Sequence, residues 1–416
     1  YERSFDENGL ITRFVDPLGG AWHWDRDSMG RPLQRTDPLG RTSTIDYDDD
    51  GGVRRIVDAA GGVTEVSRGD RLMTWIDPIG AQFTITYNDR GQVAETTAPN
   101  GRKVRMRYDA YGNVLERIHN AGGSDGVGEL VERASYDYWG RCTSTTDADG
   151  ATTQFTHSTG GRVTIQRDAD GAVLRFSYDH NGNVTALTGS DGLTTRASYG
   201  GFGRIYQLVL PDGTSTQMRY NREGHLVEVH NPRGEVHRYE RDVAGLVVRE
   251  VTFDGRALEY KHDAAGQLIA KTLGTDTTSY SYDLGGQLTK TEFSDGRVVS
   301  YDHDMLGELI RADNGSAVIE IVRNAVGWIT KETQSHGGQQ FVIDTSYDTM
   351  GYPTDRATSL GHRAQWHRDI MGNARRVVLD AEQIDVAFDP IGREIARSFG
   401  TTRIESRFDA EGRLAG

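Results

Sequence analysis

The chain has 416 residues, with 61 acidic against 47 basic side chains and a net charge of −14. That balance argues against nucleic acid as a partner, because nothing would offset phosphate repulsion. Cys142 is the sole cysteine, which excludes an internal disulfide framework or a cysteine metal cage.

No apolar run approaches the roughly 20 residues of a spanning helix, and no signal-peptide pattern opens the chain. For an exported protein this favours a dedicated machine over the general secretory route.

Taken in order, the elements repeat. A turn closes at Gly9, and glycines in the same register follow at Gly30, Gly51, Gly91, Gly112, Gly140, Gly161, Gly182, Gly203, Gly224, Gly245, Gly266, Gly286, Gly307, Gly327, Gly351, Gly372, Gly392 and Gly412. Most steps are 20 or 21 residues. Between successive members lies a second turn signal, as in Ser190-Asp191-Gly192 and Pro211-Asp212-Gly213. Each unit therefore reads strand, turn, strand, turn, the spacing of short antiparallel hairpins. The turn glycine supplies positive φ, a preceding Asp or Asn caps the turn, and an aromatic with alternating apolar and polar residues suits a pleated strand.

Three steps depart from the period. From Gly51 to Gly91 one degenerate repeat is skipped, near Ser67-Arg68-Gly69-Asp70-Arg71-Leu72. From Gly112 to Gly140 there are seven extra residues, placed in Asn120–Gly128, and from Gly327 to Gly351 three extra, placed near Ser335-His336-Gly337-Gly338. Both excesses are expected in Gly-rich turns, where lengthening costs little.

The units Tyr108-Asp109-Ala110-Tyr111-Gly112-Asn113-Val114, Tyr178-Asp179-His180-Asn181-Gly182-Asn183-Val184, Tyr282-Asp283-Leu284-Gly285-Gly286-Gln287-Leu288 and Phe408-Asp409-Ala410-Glu411-Gly412-Arg413-Leu414 resemble the YD repeat, also called the RHS repeat. The resemblance runs over essentially all of residues 1–416. It implies an all-β fold, a repetitive antiparallel hairpin band spiralling into part of a hollow shell. The family includes bacterial Rhs polymorphic toxins, cocoon components of insecticidal toxin complexes, wall-associated proteins and teneurins. For a bacterial toxin it implies a C-terminal toxic domain as enclosed cargo and export by a secretion machine, type VI above all. A spike protein, an effector chaperone and an immunity protein are the partners implied. A cell-surface adhesion or carbohydrate-binding module is the competing expectation.

Composition agrees with a band. With 36% hydrophobic residues and 51 glycines the chain is polar for its length, whereas a two-layer sandwich would bury more aliphatic side chain. About forty strands at roughly 4.8 Å each give a band on the order of 190 Å long. Wrapped once, or a little more, that is a ring roughly 60 Å across. Tyr1 enters in mid-pattern and Gly416 follows a repeat, so the chain is expected to be a piece of a longer protein.

The strongest chemical candidate is the pair Asp16-Pro17-Leu18-Gly19 and Asp37-Pro38-Leu39-Gly40. In Rhs toxins a paired Asp-Pro-x-Gly motif belongs to an aspartyl-type self-cleaving site, in which two carboxylates share a proton. Here the pair opens the chain and is separated by the repeat period, and Asp77-Pro78-Ile79-Gly80 repeats it. Pro followed two places later by Gly is what a β-turn requires, so a turn is the expectation.

Asp147-Ala148-Asp149-Gly150 and Asp168-Ala169-Asp170-Gly171 resemble fragments of calcium loops but lack the bidentate Glu. His23, His119, His157, His180 and His367 lack zinc-helix spacing. His230 and His237 could approach each other across the hairpin at Asn231-Pro232-Arg233-Gly234. Gly200-Gly201-Phe202-Gly203 opens no helix and is no phosphate cradle. Arg102, Lys103, Arg105 and Arg107 are expected to form a solvated strand face. Trp22 and Trp24 share a strand face, and Trp75, Trp139, Trp328 and Trp366 are expected to pack. No catalytic, cofactor-binding or metal-ligating residue and no cofactor is assigned; the expectation is a container rather than an enzyme.

Overall fold

In the computed structural model, residues 1–119, 128–389, 391–409 and 413–415 are described. Pleated segments such as Val163–Arg167 and Val173–Tyr178 are short and interrupted by glycine turns, so they fold as hairpins. Among the described residues there are 39 strands in one sheet, each antiparallel to the strand before and after it. There is no α-helix among them, only a 3-10 turn at Gly201–Gly203.

The unit at Tyr178 shows how the turn works. The Gly182 amide donates to the Asp179 carbonyl at 3.1 Å and the Asp179 amide to the Asn183 carbonyl at 3.0 Å. That closure needs a left-handed residue, and Gly182 has φ 93°. Asp179 Oδ1 accepts the amides of Asn181 and Asn183, both at 2.9 Å. All the glycines of the first-turn register within the described residues have φ between 66° and 98°; Gly412 lies outside those residues.

Beside each such turn the register slips. Ser177 faces Ala186 but Tyr178 faces Val184, so Thr185 is skipped. A bulge of this kind bends and further twists the ladder. Because it recurs at first turns along the chain, the band curls progressively.

The tyrosine repairs the ladder between hairpins. Val163 lies beyond the end of the pairing between Ile165–Arg167 and Val173–Arg175, which leaves its carbonyl without a strand partner on that side. Tyr178 Oη donates to it at 2.6 Å, and Tyr199, Tyr220 and Tyr108 do the same to Val184, Ile205 and Val93 at 2.8, 2.9 and 2.8 Å. Where the position holds arginine, the guanidinium takes over. Arg26 reaches the Ile11 carbonyl at 3.3 Å and Arg241 the Leu226 carbonyl at 3.4 Å, and each also binds its own turn glycine's carbonyl.

Two local expectations change, and the degenerate repeat takes a definite form. The extra residues before Gly351 lie in the strands, not the turn: Ile329–His336 and Gln339–Tyr347 have 8 and 9 residues around a two-residue loop, Gly337-Gly338. The two left-handed glycines let the strands run straight into a tight hairpin, so the ladder extends instead of the loop. The degenerate repeat at Ser67–Leu72 is an ordinary hairpin without a bulge, pairing Arg68 with Met73. Arg102 sits in a turn before the strand Lys103–Tyr108 rather than on its face, whereas Arg105 and Arg107 are exposed and paired with Glu95 and Glu116. The insertion placed at Asn120–Gly128 lies outside the described residues except for Gly128.

The sheet has no second layer. The chain exposes 24850 Å² of accessible surface, against about 16,000 Å² for a compact monomer of this mass. Among the described residues only Ala81, Ile118, Leu130, Val173, Ala396, Thr291 and Thr345, with the glycines Gly20 and Gly224, are buried. Stability in such a band comes from neighbour-to-neighbour ladders and cross-strand pairs.

Candidate functional site

A meandering band has two edges. Turns of the Tyr-Asp-x-x-Gly register line one, and turns of the alternate register, such as Asp16–Gly19, line the other. The contacts that go beyond the plain repeat lie where these two edges meet.

They meet along a seam. The Leu284 carbonyl lies 2.9 Å from where a Cβ on Gly20 would stand. Arg41 Nη1 donates to Gln287 Oε1 at 2.8 Å, and Asn100 Nδ2 to the Ile370 carbonyl at 2.9 Å. Further along, Arg393 Nη2 meets Asp149 at 3.0 Å and Arg413 meets Asp170 at 3.2 Å. Each contact joins an alternate turn of the early chain to a Tyr-Asp turn of the late chain. Their sequence separations run from 243 to 270 residues. The band is therefore a spiral of about 1.6 coils, the late coil seated on one edge of the early one.

This corrects the expected ring. A coil of 243 to 270 residues holds about 25 strands, or on the order of 120 Å of ladder and about 40 Å across. The estimate of 60 Å assumed that the whole band went round once. The axial rise that brings edge onto edge lets it go round again.

Seam chemistry explains the Asp-Pro pairs. Asp16 Oδ1 accepts the Leu18 and Gly20 amides at 2.8 Å, and Asp37 Oδ1 accepts the Leu39 and Arg41 amides at 2.9 and 3.0 Å. Asp37 Oδ2 also holds Arg41 Nε at 2.5 Å. Adjacent turns on one edge are two strands apart, about 10 Å, too far for carboxyls to share a proton. The aspartates cap, and Leu39 packs beside Gly285 of the late coil, with its Cδ1 3.1 Å from a Cβ built there.

The late coil carries matching apolar tips at Leu284, Met305-Leu306, Ala325-Val326 and Ile370-Met371. The early coil mixes polar tips at that position, Glu7-Asn8, Asp49-Asp50, Asp89-Arg90 and Arg222-Glu223, with apolar ones at Met29, Tyr111, Tyr138-Trp139, Phe202 and Val243. Tip polarity therefore does not by itself mark the seam.

The Asp147-Ala148-Asp149-Gly150 turn is part of the same seam. Burial of the Asp147 carboxyl and its hydrogen bond with Asp149 hold its pKa above the ordinary carboxylate value, while that bond holds Asp149 below it. The Asp149 carboxylate faces Arg393, itself tied to Asp389 at 2.6 Å. Among the described residues no group of three His, Cys, Asp or Glu side chains could hold a metal ion.

The remaining candidates are dispersed. His230 faces Val236 and His237 faces Val229 across the hairpin, so strand alternation puts the two rings on opposite faces; they bind Glu228 and Glu250 at 2.8 and 3.4 Å. Burial, then the hydrogen bond to Glu250, pushes the Tyr260 phenol up to about 12. That network satisfies itself. Trp75 stacks on Phe83 at 5.2 Å, and Trp22 and Trp328 pack tilted against Phe14 and Tyr347, both at 5.4 Å. Trp139 departs from packing: it stands exposed at a turn tip beside Tyr138. Cys142 is half-buried, and burial raises its thiol pKa. No helix among the described residues is long and apolar enough to cross a membrane.

A single-layer hairpin band coiled edge on edge defines a shell-type structural repeat protein. Comparison with known proteins agrees. The teneurin YD-shell family model matches residues 124–304, and the RHS repeat model matches residues 5–42 and 87–125. The chain belongs to the YD-repeat, or RHS-repeat, family.

Two curated relatives are similar. "Probable deoxyribonuclease RhsB" of Dickeya dadantii is 31% identical over 159 residues, 38% of this chain and 11% of the relative. "Double-stranded DNA deaminase toxin A" of Burkholderia cenocepacia is 31% identical over 113 residues, 27% of this chain and 7% of the relative. Among solved structures, TcdB2-TccC3 superposes with a TM-score of 0.58 at 14% identity, covering 99% of this chain and 29% of that one. The Tc holotoxin pore of Photorhabdus luminescens gives 0.57 at 13% identity, covering 98% and 29%. The fold is shared with these chains, and this one spans less than a third of their length.

Proposed function

We propose that these residues form one segment of a longer Rhs-type shell that encloses a C-terminal toxic domain of the same polypeptide. The observation that carries this reading is the coiled, single-layer band: a sheet that buries almost nothing against a second layer keeps an inner face available for cargo. Relatives bearing toxin names and the fold shared with Tc toxin chains support it. On this reading the segment contributes no catalysis, and any enzymatic activity belongs to the cargo. Export by a secretion machine, type VI in particular, for competition between bacteria extends the proposal, as do a spike protein, an effector chaperone and an immunity protein as partners.

The test is the intact mass of the full-length gene product under native and denaturing conditions. A small C-terminal polypeptide that stays bound natively and separates on denaturation is the expected result. One uncleaved chain with nothing enclosed would overturn sequestration after self-cleavage and leave a surface-binding role as the better reading.

A further inference from the structure

The face of the sheet opposite the motif tyrosines is the charged one, and there arginines stand directly across the ladder from carboxylates. Arg105 faces Glu95, Arg133 faces Glu116 and Arg238 faces Glu228, with side chains meeting at 3.2, 3.1 and 3.1 Å. The stretch after Arg133 breaks this pattern. None of the eight strands from Cys142–Thr146 to Ser215–Tyr220 contains an aspartate or a glutamate. Three arginines of those strands, Arg167, Arg175 and Arg196, nevertheless stand exposed on the charged face. Uncharged groups lie opposite two of them, Gln154 across from Arg167 and Thr188 across from Arg175. The neighbouring carboxylates sit in turns and are engaged there, Asp168 with Gln166 Nε2 at 2.8 Å and Asp170 with Arg413 at 3.2 Å. Among the described residues none of the three guanidinium groups has a carboxylate partner.

The register sets their spacing. Arg167 lies diagonally from Arg175 on the adjacent strand, about 7–8 Å away. Arg196 is two strands further on and two residues along, about 12 Å from Arg175. The three form one oblique row across the face. Side chains on one side of an extended chain recur about every 7 Å. A peptide with carboxylates on alternate residues therefore meets Arg167 and Arg175 with one such step and Arg196 after about 14 Å, two more steps. Each guanidinium offers the planar fork that takes a carboxylate by two parallel hydrogen bonds.

We propose that Arg167, Arg175 and Arg196 form a docking row for an extended acidic peptide segment of a partner polypeptide, with carboxylates on alternate residues. Charge decides between this occupant and a nucleic acid. The chain carries a net charge of −14, so a long polyanion would bring its remaining phosphates against an acidic surface. A short segment whose carboxylates lie over the row alone escapes that repulsion. The inference concerns one face of the band and does not depend on what the shell encloses.

The test titrates the full-length gene product, at low ionic strength, into a short fluorescent peptide of alternating serine and glutamate and follows anisotropy. A peptide of the same composition with its glutamates contiguous is the comparison. The alternating peptide should bind more tightly, and Arg167→Gln, Arg175→Gln and Arg196→Gln should each weaken it about tenfold. Arg376→Gln is the control, since Arg376 lies on the same face and is already paired with Asp385 at 2.8 Å; it should leave the affinity unchanged. Equal affinity for the two peptides, equal loss in Arg376→Gln, or tighter binding of a single-stranded oligonucleotide would overturn the proposal. A second measurement covers a row already occupied in the full-length product. Carbodiimide treatment of the Arg175→Lys variant joins the introduced amine to any carboxylate in contact, and mass spectrometry reads the linked peptide. Links to a segment with alternating carboxylates would sustain the proposal, whereas neither peptide binding nor such links would overturn it.

Discussion

Tyr178 donates its hydroxyl proton to the carbonyl of Val163, 2.6 Å away in the preceding hairpin. The tyrosine of the motif thus serves the neighbouring repeat, closing the gap that the bulge leaves in the ladder. Tyr178→Phe removes the donor and keeps the ring, leaving a part-buried carbonyl unpaired. The expected cost is about 1 kcal/mol. It should appear as lost hydrogen-exchange protection confined to the hairpins on either side, since repeats couple mainly to their neighbours. Tyr178→Arg should recover part of it, because Arg26 and Arg241 make the same bond in their own repeats.

The turn caps make the band acid-sensitive. Asp109 and Asp179 have pKa values lowered from 3.8, chiefly by side-chain hydrogen bonds from Asn113 and Asn183 and then by backbone amides. A carboxyl depressed in the folded state contributes stability above its unfolded value and loses it as pH falls through the folded one. Unfolding midpoints in urea should therefore hold steady down to about pH 4 and fall below it. Asp179→Asn keeps an acceptor without a titrating charge, so its repeat should lose less protection on acidification than its neighbours do.

Strand, turn and period were legible because each repeat restates them: glycine where φ is positive, Asp three places earlier, alternation between. The seam was harder to read. The two residues between the Asp and the Gly do not mark it, because Leu284-Gly285 and Ile370-Met371 of the late coil have apolar counterparts at Tyr138-Trp139 and Val243-Ala244 in the early one. A turn tolerates either kind, and the contact is made with a coil more than 240 residues away. His230 and His237 failed as a pair for a simpler reason, since a one-residue offset in register reverses a side chain's face.

At the seam the pH dependence has the opposite sign to that of the caps. Asp147 is raised by burial and by its hydrogen bond with Asp149. A group raised on folding stabilises fully below its unfolded value and loses that contribution as pH rises through the folded one. Protection of the Asp389–Arg393 turn, corrected for intrinsic exchange, should thus weaken as pH rises above about 4. In Asp147→Asn, whose amide can still donate to Asp149, that dependence should vanish. Arg393→Ala should loosen the same turn at every pH, by about 1 kcal/mol or less, because the pair is partly exposed.

Gly20 offers the sharpest test of the coil-on-coil contact. Its φ is not in the left-handed region, so the turn does not demand glycine there, and the equivalent position holds alanine at Ala81, Ala151 and Ala172. What demands glycine is space. A Cβ on residue 20 would stand 2.9 Å from the Leu284 carbonyl and 2.7 Å from Asp16 Oδ2. The carboxylate can rotate away, but a backbone carbonyl held in the next coil cannot. Gly20→Ala should therefore push the coils apart locally, at a cost of about 1–3 kcal/mol typical of overpacking. Hydrogen exchange should show lost protection around both Gly20 and Leu284, although 264 residues separate them. Loss at Gly20 alone would mean that the substitution disturbs only its own turn and that the two coils are not in contact there.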